Sequence, residues 1–212
     1  MDLGLAGRVG VLTGADGAVG MATARLLRGE GVKVLMVGRD AAALADAAEG
    51  LDGGDEEIAT LPLDPTEPDA GEQMLGAASE EFGGLDFLVN FAGAPGDPPA
   101  DDLRAACELG VMAPLRAMKT IAPALAERGQ GRIVNVCPPP RSVAGAAALA
   151  LSRLFAERYG KQRVLVNSIC PGPDADPAAS AREIAFLCSE RASHVAGATW
   201  TVGATDPAGV IG

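Results

Sequence analysis

Two short segments carry the residue patterns that could do chemistry. "VLTGADGAVG", residues 11–20, follows an apolar run and precedes a helical pattern. Glycines in such a turn let backbone N–H groups approach a phosphate, and the helix N-terminus adds the positive end of its dipole. "VNVCPPPRSVAG", residues 134–145, also follows an apolar run, but its prolines have no N–H to offer. The first segment predicts a phosphate site; the alternative is a tight turn without a ligand.

Side chains that could act as nucleophiles or bases are sparse. Tyr159 is the only tyrosine and His194 the only histidine, for which a surface or packing role is expected. The four cysteines are widely spaced without a C-x-x-C motif, which predicts reduced, packed thiols and no metal site. They are Cys107, Cys137, Cys170 and Cys188.

Strand-like and helix-like runs alternate along the whole chain and would position both segments. Strands are predicted at residues 8–13, 32–37, 58–63, 85–89, 132–136, 163–169 and 198–202. Helices are predicted at residues 18–30, 41–48, 69–82, 102–127, 142–158 and 178–189, with a bend or a local gap at Pro114. Apolar strands alternating with helices indicate an α/β protein, a Rossmann-like doubly wound parallel sheet in a three-layer α/β/α sandwich. Residues 1–212 are predicted to form one domain.

Charge and hydropathy exclude several partners. The chain of 212 residues is 48% hydrophobic with a net charge of −11, which argues against binding to nucleic acid or to an anionic membrane surface. It lacks an apolar run long enough to cross a bilayer, and its first residues do not have the pattern of a signal peptide. A cytoplasmic location is therefore predicted.

Several motifs together resemble the short-chain dehydrogenase/reductase family. Thr13-Gly14-x-x-x-Ala18-x-Gly20 resembles the family's T-G-x-x-x-G-x-G turn, and residues 88–93, "LVNFAG", resemble its N-N-A-G element. Residues 131–136, "GRIVNV", and 164–172, "VLVNSICPG", resemble its fifth and sixth strands. The resemblance spans essentially the whole chain in the family's order and implies a site for a nicotinamide dinucleotide.

The resemblance also implies which residues would hold that dinucleotide. Arg39 after the second strand favours NADP, because arginine can meet a 2′-phosphate. Against binding, Ala18 replaces a glycine beside the pyrophosphate, Phe91 replaces a small polar residue, and the family's nicotinamide-side lysine is missing. NADP binding is therefore expected to be weak or lost. The implied set is Thr13, Gly14, Asp16, Gly17, Ala18, Val19, Gly20, Gly38, Arg39, Asp64, Asn90, Ala92, Gly93, Pro171 and Gly172.

The family's catalytic positions hold residues that cannot do its chemistry. Its members usually interconvert alcohols and carbonyls with an Asn, a Ser, a Tyr and a Lys. Aligned by Pro123, "GRIVNV" and "SRLFAERYG", these positions correspond to Gly110, Pro138, Arg141 and Gly145. Arginine cannot shuttle a proton near neutral pH, and Ser142 is interpreted as a helix cap. No catalytic residues are therefore assigned.

These observations predict a catalytically inactive family member that acts as a structural or regulatory subunit. It would form a homo-oligomer, or a hetero-oligomer with an active relative, through helices 102–127 and 142–158. One alternative is an NADP-binding sensor module. Another is an NAD(P)-dependent oxidoreductase whose site is completed by a partner or by Cys137.

Overall fold

The computed structural model describes residues 2–51, 57–91 and 102–203. The strands are β1 (Val9–Thr13), β2 (Lys33–Gly38), β3 (Ile58–Pro62), β4 (Phe87–Phe91), β5 (Gly131–Val136), β6 (Val164–Pro171) and β7 (Thr199–Val202). The α-helices are α1 (Ala18–Gly29), α2 (Ala41–Glu49), α3 (Ala70–Phe82), α4 (Leu103–Cys107), α5 (Ala113–Glu127), α6 (Val143–Tyr159) and α7 (Pro177–Cys188). Each of these boundaries except the α4–α5 break lies within two residues of the prediction.

The strands form one parallel sheet with the order β3-β2-β1-β4-β5-β6-β7. The chain starts in the middle, winds outward to β3, and then returns to the other side of β1 through β4. This change of direction places a crevice between the carboxyl ends of β1 and β4, where ligands bind in doubly wound sheets. The predicted Rossmann-like α/β class is confirmed.

Two apolar layers cover the two faces of the sheet. On one face, Leu12 and Val34 pack with Leu27 of α1 and Ile184 of α7. On the other face, a separate cluster joins the sheet to α3, α5 and α6 through Val11, Met74, Met118, Ile133 and Phe155. All five residues of β1 are buried, as expected for a central strand that is covered on both sides.

The helix predicted at 102–127 is interrupted rather than continuous. A π-helical turn, Glu108–Met112, separates α4 from α5, and the N–H of Ala113 donates to the carbonyl of Glu108, five residues earlier. Pro114 has no N–H, so the carbonyl of Gly110 loses the donor that an α-helix would give it. The predicted disturbance at Pro114 is therefore confirmed, and it takes the form of a π-turn.

In the ranges that the structure describes, no helix combines the length and the apolar character needed to cross a membrane.

One substitution should stabilise the fold. Arg163, just before β6, has φ 64°, a left-handed conformation that is strained for a residue with a Cβ. Arg163→Gly is expected to raise the free energy of unfolding by about 1 kcal/mol in urea denaturation. Arg182→Gly, at an exposed position inside α7, should instead lower it by about 1 kcal/mol. A loss of stability in both variants would contradict the assignment of strain to Arg163.

Candidate functional site

The turn between β1 and α1 depends on two glycines. Gly14 has φ +62°, and its N–H donates to the carbonyl of Val37 over 2.7 Å, which anchors the turn to β2. A Cβ at Gly20 would lie 2.7 Å from the Cα of Ala15 and 2.7 Å from the carbonyl oxygen of Gly14. A glycine at position 20 therefore lets the first turn of α1 pack directly on the backbone of the loop.

The N-terminus of α1 retains the donors that a phosphate needs. Its N-cap residue, Gly17, has no side chain to accept hydrogen bonds from the N–H groups of the first turn. Helix N–H groups of this kind bind phosphate, and the helix dipole adds to the attraction. Val19 is half-buried, whereas Asp16 and Ala18 are exposed in the same turn. The turn thus fits a pyrophosphate, with the Ala18 methyl group as added bulk.

The end of β2 lies beside this turn. Gly38 is buried, and a Cβ there would lie 3.5 Å from an oxygen of Asp16. Arg39 follows it with an exposed side chain, and the Asp40 carboxylate caps α2 by accepting from the N–H groups of Ala42 and Ala43. The only cation in this three-residue turn is Arg39, which is where the 2′-phosphate of NADP would require one.

Asp64, after β3, and the carboxyl end of β6 lie at the same edge of the sheet, where the parallel strands end. Asp64 is half-buried, and its Oδ1 accepts from the N–H of Thr66 at 2.9 Å and from the Thr66 hydroxyl at 2.7 Å. Pro171 ends β6, and the N–H of Gly172 donates to the carbonyl of Val202 at 2.8 Å. Ala92 and Gly93, two of the predicted cofactor residues, lie outside the described residues.

Two of the predicted cofactor residues, Thr13 and Asn90, make hydrogen bonds within the fold. The Thr13 hydroxyl accepts from the N–H of Phe91 at 3.2 Å. Asn90 is 2% exposed, and its amide donates to the Oδ1 of Asn135 over 2.8 Å. Asn135 in turn donates to the Ser152 hydroxyl over 2.9 Å, which links β4, β5 and α6 in one buried chain of hydrogen bonds. Sequence reasoning assigned no role to Asn135 or Ser152, although a polar residue inside an apolar run was a visible signal.

The proline turn packs onto Gly110 and Gly145, which by resemblance correspond to two of the family's catalytic positions. Pro138 lies against Gly110 of the π-turn, where a Cβ would be 2.9 Å from the proline ring. A Cβ at Gly145 would overlap the carbonyl oxygen of Pro139 and lie 2.8 Å from that of Pro138. The space in which side chains at positions 110 and 145 would begin is thus filled by Pro138 and Pro139.

Ser142 fastens this turn to α6. Its hydroxyl accepts from the N–H of Gly145 at 2.9 Å, which confirms the predicted N-cap. The same hydroxyl donates to the carbonyl of Pro139 at 2.8 Å, and the N–H of Ser142 donates to that carbonyl at 2.9 Å. The Arg141 side chain is exposed at the start of the helix. The Pro139 carbonyl that lies against Gly145 therefore accepts two hydrogen bonds from Ser142.

Tyr159 and His194 lie away from this edge. Tyr159 ends α6 and stacks on Phe155 with 5.8 Å between ring centroids, where the chain leads into the amino end of β6. His194 is exposed in the connection that precedes β7. Both therefore lie toward the edge of the sheet opposite the crevice.

The cysteines are free thiols. Cys137, Cys170 and Cys188 are buried, as predicted, whereas Cys107 is half-buried. Burial raises the pKa of Cys188 far above its ordinary value. Within the described ranges no three residues of the types Cys, His, Asp and Glu come together as a metal site.

Comparison with known proteins agrees with this architecture. The family described as short chain dehydrogenase matches residues 8–183. An uncharacterized oxidoreductase of Staphylococcus aureus is 27% identical over 187 residues, covering 79% of this chain and 78% of the relative. Another, from Staphylococcus saprophyticus, is 28% identical over 171 residues, covering 78% of this chain and 70% of the relative.

Solved structures agree over nearly the whole chain. L-sorbose reductase from Gluconobacter frateurii, in a complex with NADPH and L-sorbose, has a TM-score of 0.83 and 25% identity, covering 95% of this chain and 97% of that chain. Hydroxysteroid dehydrogenase from Escherichia coli has a TM-score of 0.84 and 26% identity, with the same coverage. This chain therefore belongs to the short-chain dehydrogenase family.

Proposed function

We propose that this protein is a catalytically inactive member of its family that acts as a structural or regulatory subunit. The observation that carries the proposal is the packing of Pro138 and Pro139 against Gly110 and Gly145. By resemblance, those glycines stand where an active member has an Asn and a Lys. Pro138 itself stands at the Ser position and Arg141 at the Tyr position. A missing acid–base group typically costs about 10²–10⁴-fold in rate, and here several are missing together.

An exposed apolar surface supports a role in assembly. In the part of the chain that the structure describes, the large apolar side chains that remain exposed are Leu103 (50%), Met112 (36%), Val143 (64%) and Leu154 (58%). All of them lie within the two segments predicted to meet a partner, 102–127 and 142–158. Apolar side chains that are exposed together on two neighbouring segments are typical of a protein–protein interface.

The surface on α6 is a continuous stripe. Val143, Ala147, Ala150 and Leu154 follow one another at spacings of four, three and four residues, so they share one helix face. The other side of the helix is buried through Leu149, Phe155 and their neighbours. Since α4 and the π-turn pack beside α6, both segments can contribute to one surface for a second subunit with this fold.

A second candidate function is the binding of NADP without chemistry. The retained first turn, with Gly14 at positive φ and the N-terminus of α1 without a side-chain cap, favours it. NADPH is present in the solved complex of the sorbose reductase, a structural neighbour. NADPH is a hydride donor in reductases, but this candidate function uses only its binding. In this chain the α1 N–H groups would hold its pyrophosphate and Arg39 its 2′-phosphate.

Restoring the missing residues should not restore turnover. Arg141→Tyr with Gly145→Lys is expected to lower the free energy of unfolding by about 1–3 kcal/mol or more, because the new Cβ at position 145 meets the Pro139 carbonyl. Ala146→Lys, at an exposed position of α6, is the matched control and should leave stability within about 0.5 kcal/mol. Urea denaturation and steady-state NADPH consumption with simple carbonyl substrates measure both properties. Turnover by the wild-type protein that Arg141→Ala abolishes would overturn the proposed inactivity.

Charges placed on the apolar stripe should separate the subunits. Val143→Glu with Leu154→Glu is expected to convert the assembly to the single chain of 21.3 kDa in native mass spectrometry. Formation of the subunit interface would bury both new carboxylates and remove their hydration, which costs free energy. Arg182→Glu on α7, in the opposite helix layer, should leave the assembly intact. A wild-type chain that is monomeric at micromolar concentration and carries no partner after mild purification would refute the role in assembly.

Nucleotide binding can be tested at Arg39. If NADPH binds, Arg39→Ala is expected to weaken NADPH binding by about tenfold or more and to leave the affinity for NADH unchanged, because only NADPH carries the 2′-phosphate. Arg25→Ala, at an exposed position of α1, is the control that removes a similar charge. Calorimetric and fluorescence titrations measure the affinities. Absence of saturable binding at millimolar NADPH would remove this second candidate.

A further inference from the structure

Two buried cysteines meet at the carboxyl ends of β5 and β6. The ladder pairs Val136 with Ile169, and the N–H of Cys137 donates to the carbonyl of Ile169 over 2.8 Å, which continues the register by one residue. Cys137 is thereby placed opposite Cys170. The side chains of an in-register pair point to the same face of the sheet.

The two thiols share one small cluster. Cys137 is 4% exposed and Cys170 is 2% exposed, and both pack against Ala148 and Leu149 of α6. Neighbouring strands lie about 4.7–4.9 Å apart, which is inside the Cα–Cα range of about 4.4–6.8 Å that a disulfide needs.

We propose that Cys137 and Cys170 form a reversible intramolecular disulfide when the protein meets a peroxide. This modification site is separate from the proposed inactivity and from NADP binding, since it requires neither. A disulfide at this place also affects the two neighbouring turns. Cys137 directly precedes the proline turn, and Cys170 directly precedes Pro171 and Gly172, so a bond between them ties together two turns at the edge where the crevice opens.

The chemistry balances with hydrogen peroxide as the oxidant. The thiolate sulfur of Cys170 attacks one peroxide oxygen, the O–O bond breaks, and the departing hydroxide takes up a proton as water. Cys170 is then a sulfenic acid. The sulfur of Cys137 attacks the sulfur of Cys170, so that the S–S bond forms and the S–O bond breaks. The second hydroxide takes the Cys137 proton and leaves as water.

The electrostatics of the pair favour this order of events. The neighbouring Cys137 thiol lowers the pKa of Cys170, against the opposing effect of burial. The neighbouring Cys170 thiol, together with burial, raises the pKa of Cys137, whose S–H donates to the carbonyl of Asn135 over 3.5 Å. The thiolate is the reactive form of cysteine, so Cys170 is the sulfur that attacks first.

Mass spectrometry of the full-length protein tests the pair. After treatment with equimolar hydrogen peroxide, denaturation and alkylation, the wild type should keep two of its four cysteines unalkylated, and a reducing dithiol should restore all four. Peptide mapping should join the peptide that contains Cys137 to the one that contains Cys170. This measurement on the wild type does not depend on the folding of any variant.

Single Cys→Ala variants show which two cysteines form the disulfide. Cys137→Ala and Cys170→Ala should each abolish the protection, whereas Cys107→Ala, which removes the more accessible thiol, should retain it. Full alkylation of peroxide-treated wild type, a disulfide that involves Cys107, or a sulfinic acid on Cys170 would each overturn the proposal. Turnover or nucleotide binding by the protein would not affect it.

Discussion

A buried hydrogen bond between two side-chain amides fixes the centre of the sheet. Asn90 and Asn135 are register partners on β4 and β5, and the chain continues from Asn135 to Ser152 on α6. A slip of one residue would move every side chain to the other face and leave these amides without partners in an apolar layer. The positions of Phe91, of the proline turn and of Cys137 relative to one another all follow from this register.

The same edge of the sheet combines two halves with different surroundings. Around β1 and β2, the glycine turn, the N-terminus of α1 and Arg39 keep features suited to a dinucleotide phosphate. Around β5 and α6, the Pro139 carbonyl is held over Gly145 by two donors from Ser142. These two halves lie on different strands and different helices, so one can change without the other. Binding of a dinucleotide and chemistry on it therefore depend on different parts of the chain.

Sequence patterns predicted the fold well because each pattern reports a local preference. Alternating apolar runs predicted the strands to within two residues, and the position of Ser142 before a helical run predicted its cap. Contacts between distant segments were not predictable in this way. Nothing in the one-dimensional pattern says that Asn135 faces Ser152, that Cys137 faces Cys170, or that Pro139 covers Gly145, since each depends on strand register or on the path of a loop.

The contacts of the proline turn limit which substitutions the chain can accept. A glycine at position 145 accommodates the Pro139 carbonyl, and one at position 110 accommodates the Pro138 ring. A side chain introduced at either position would meet a rigid obstacle. A larger residue at position 110 or 145 therefore requires the turn itself to change at the same time. The turn thus couples the residues that these two positions can accept to those at positions 138 and 139.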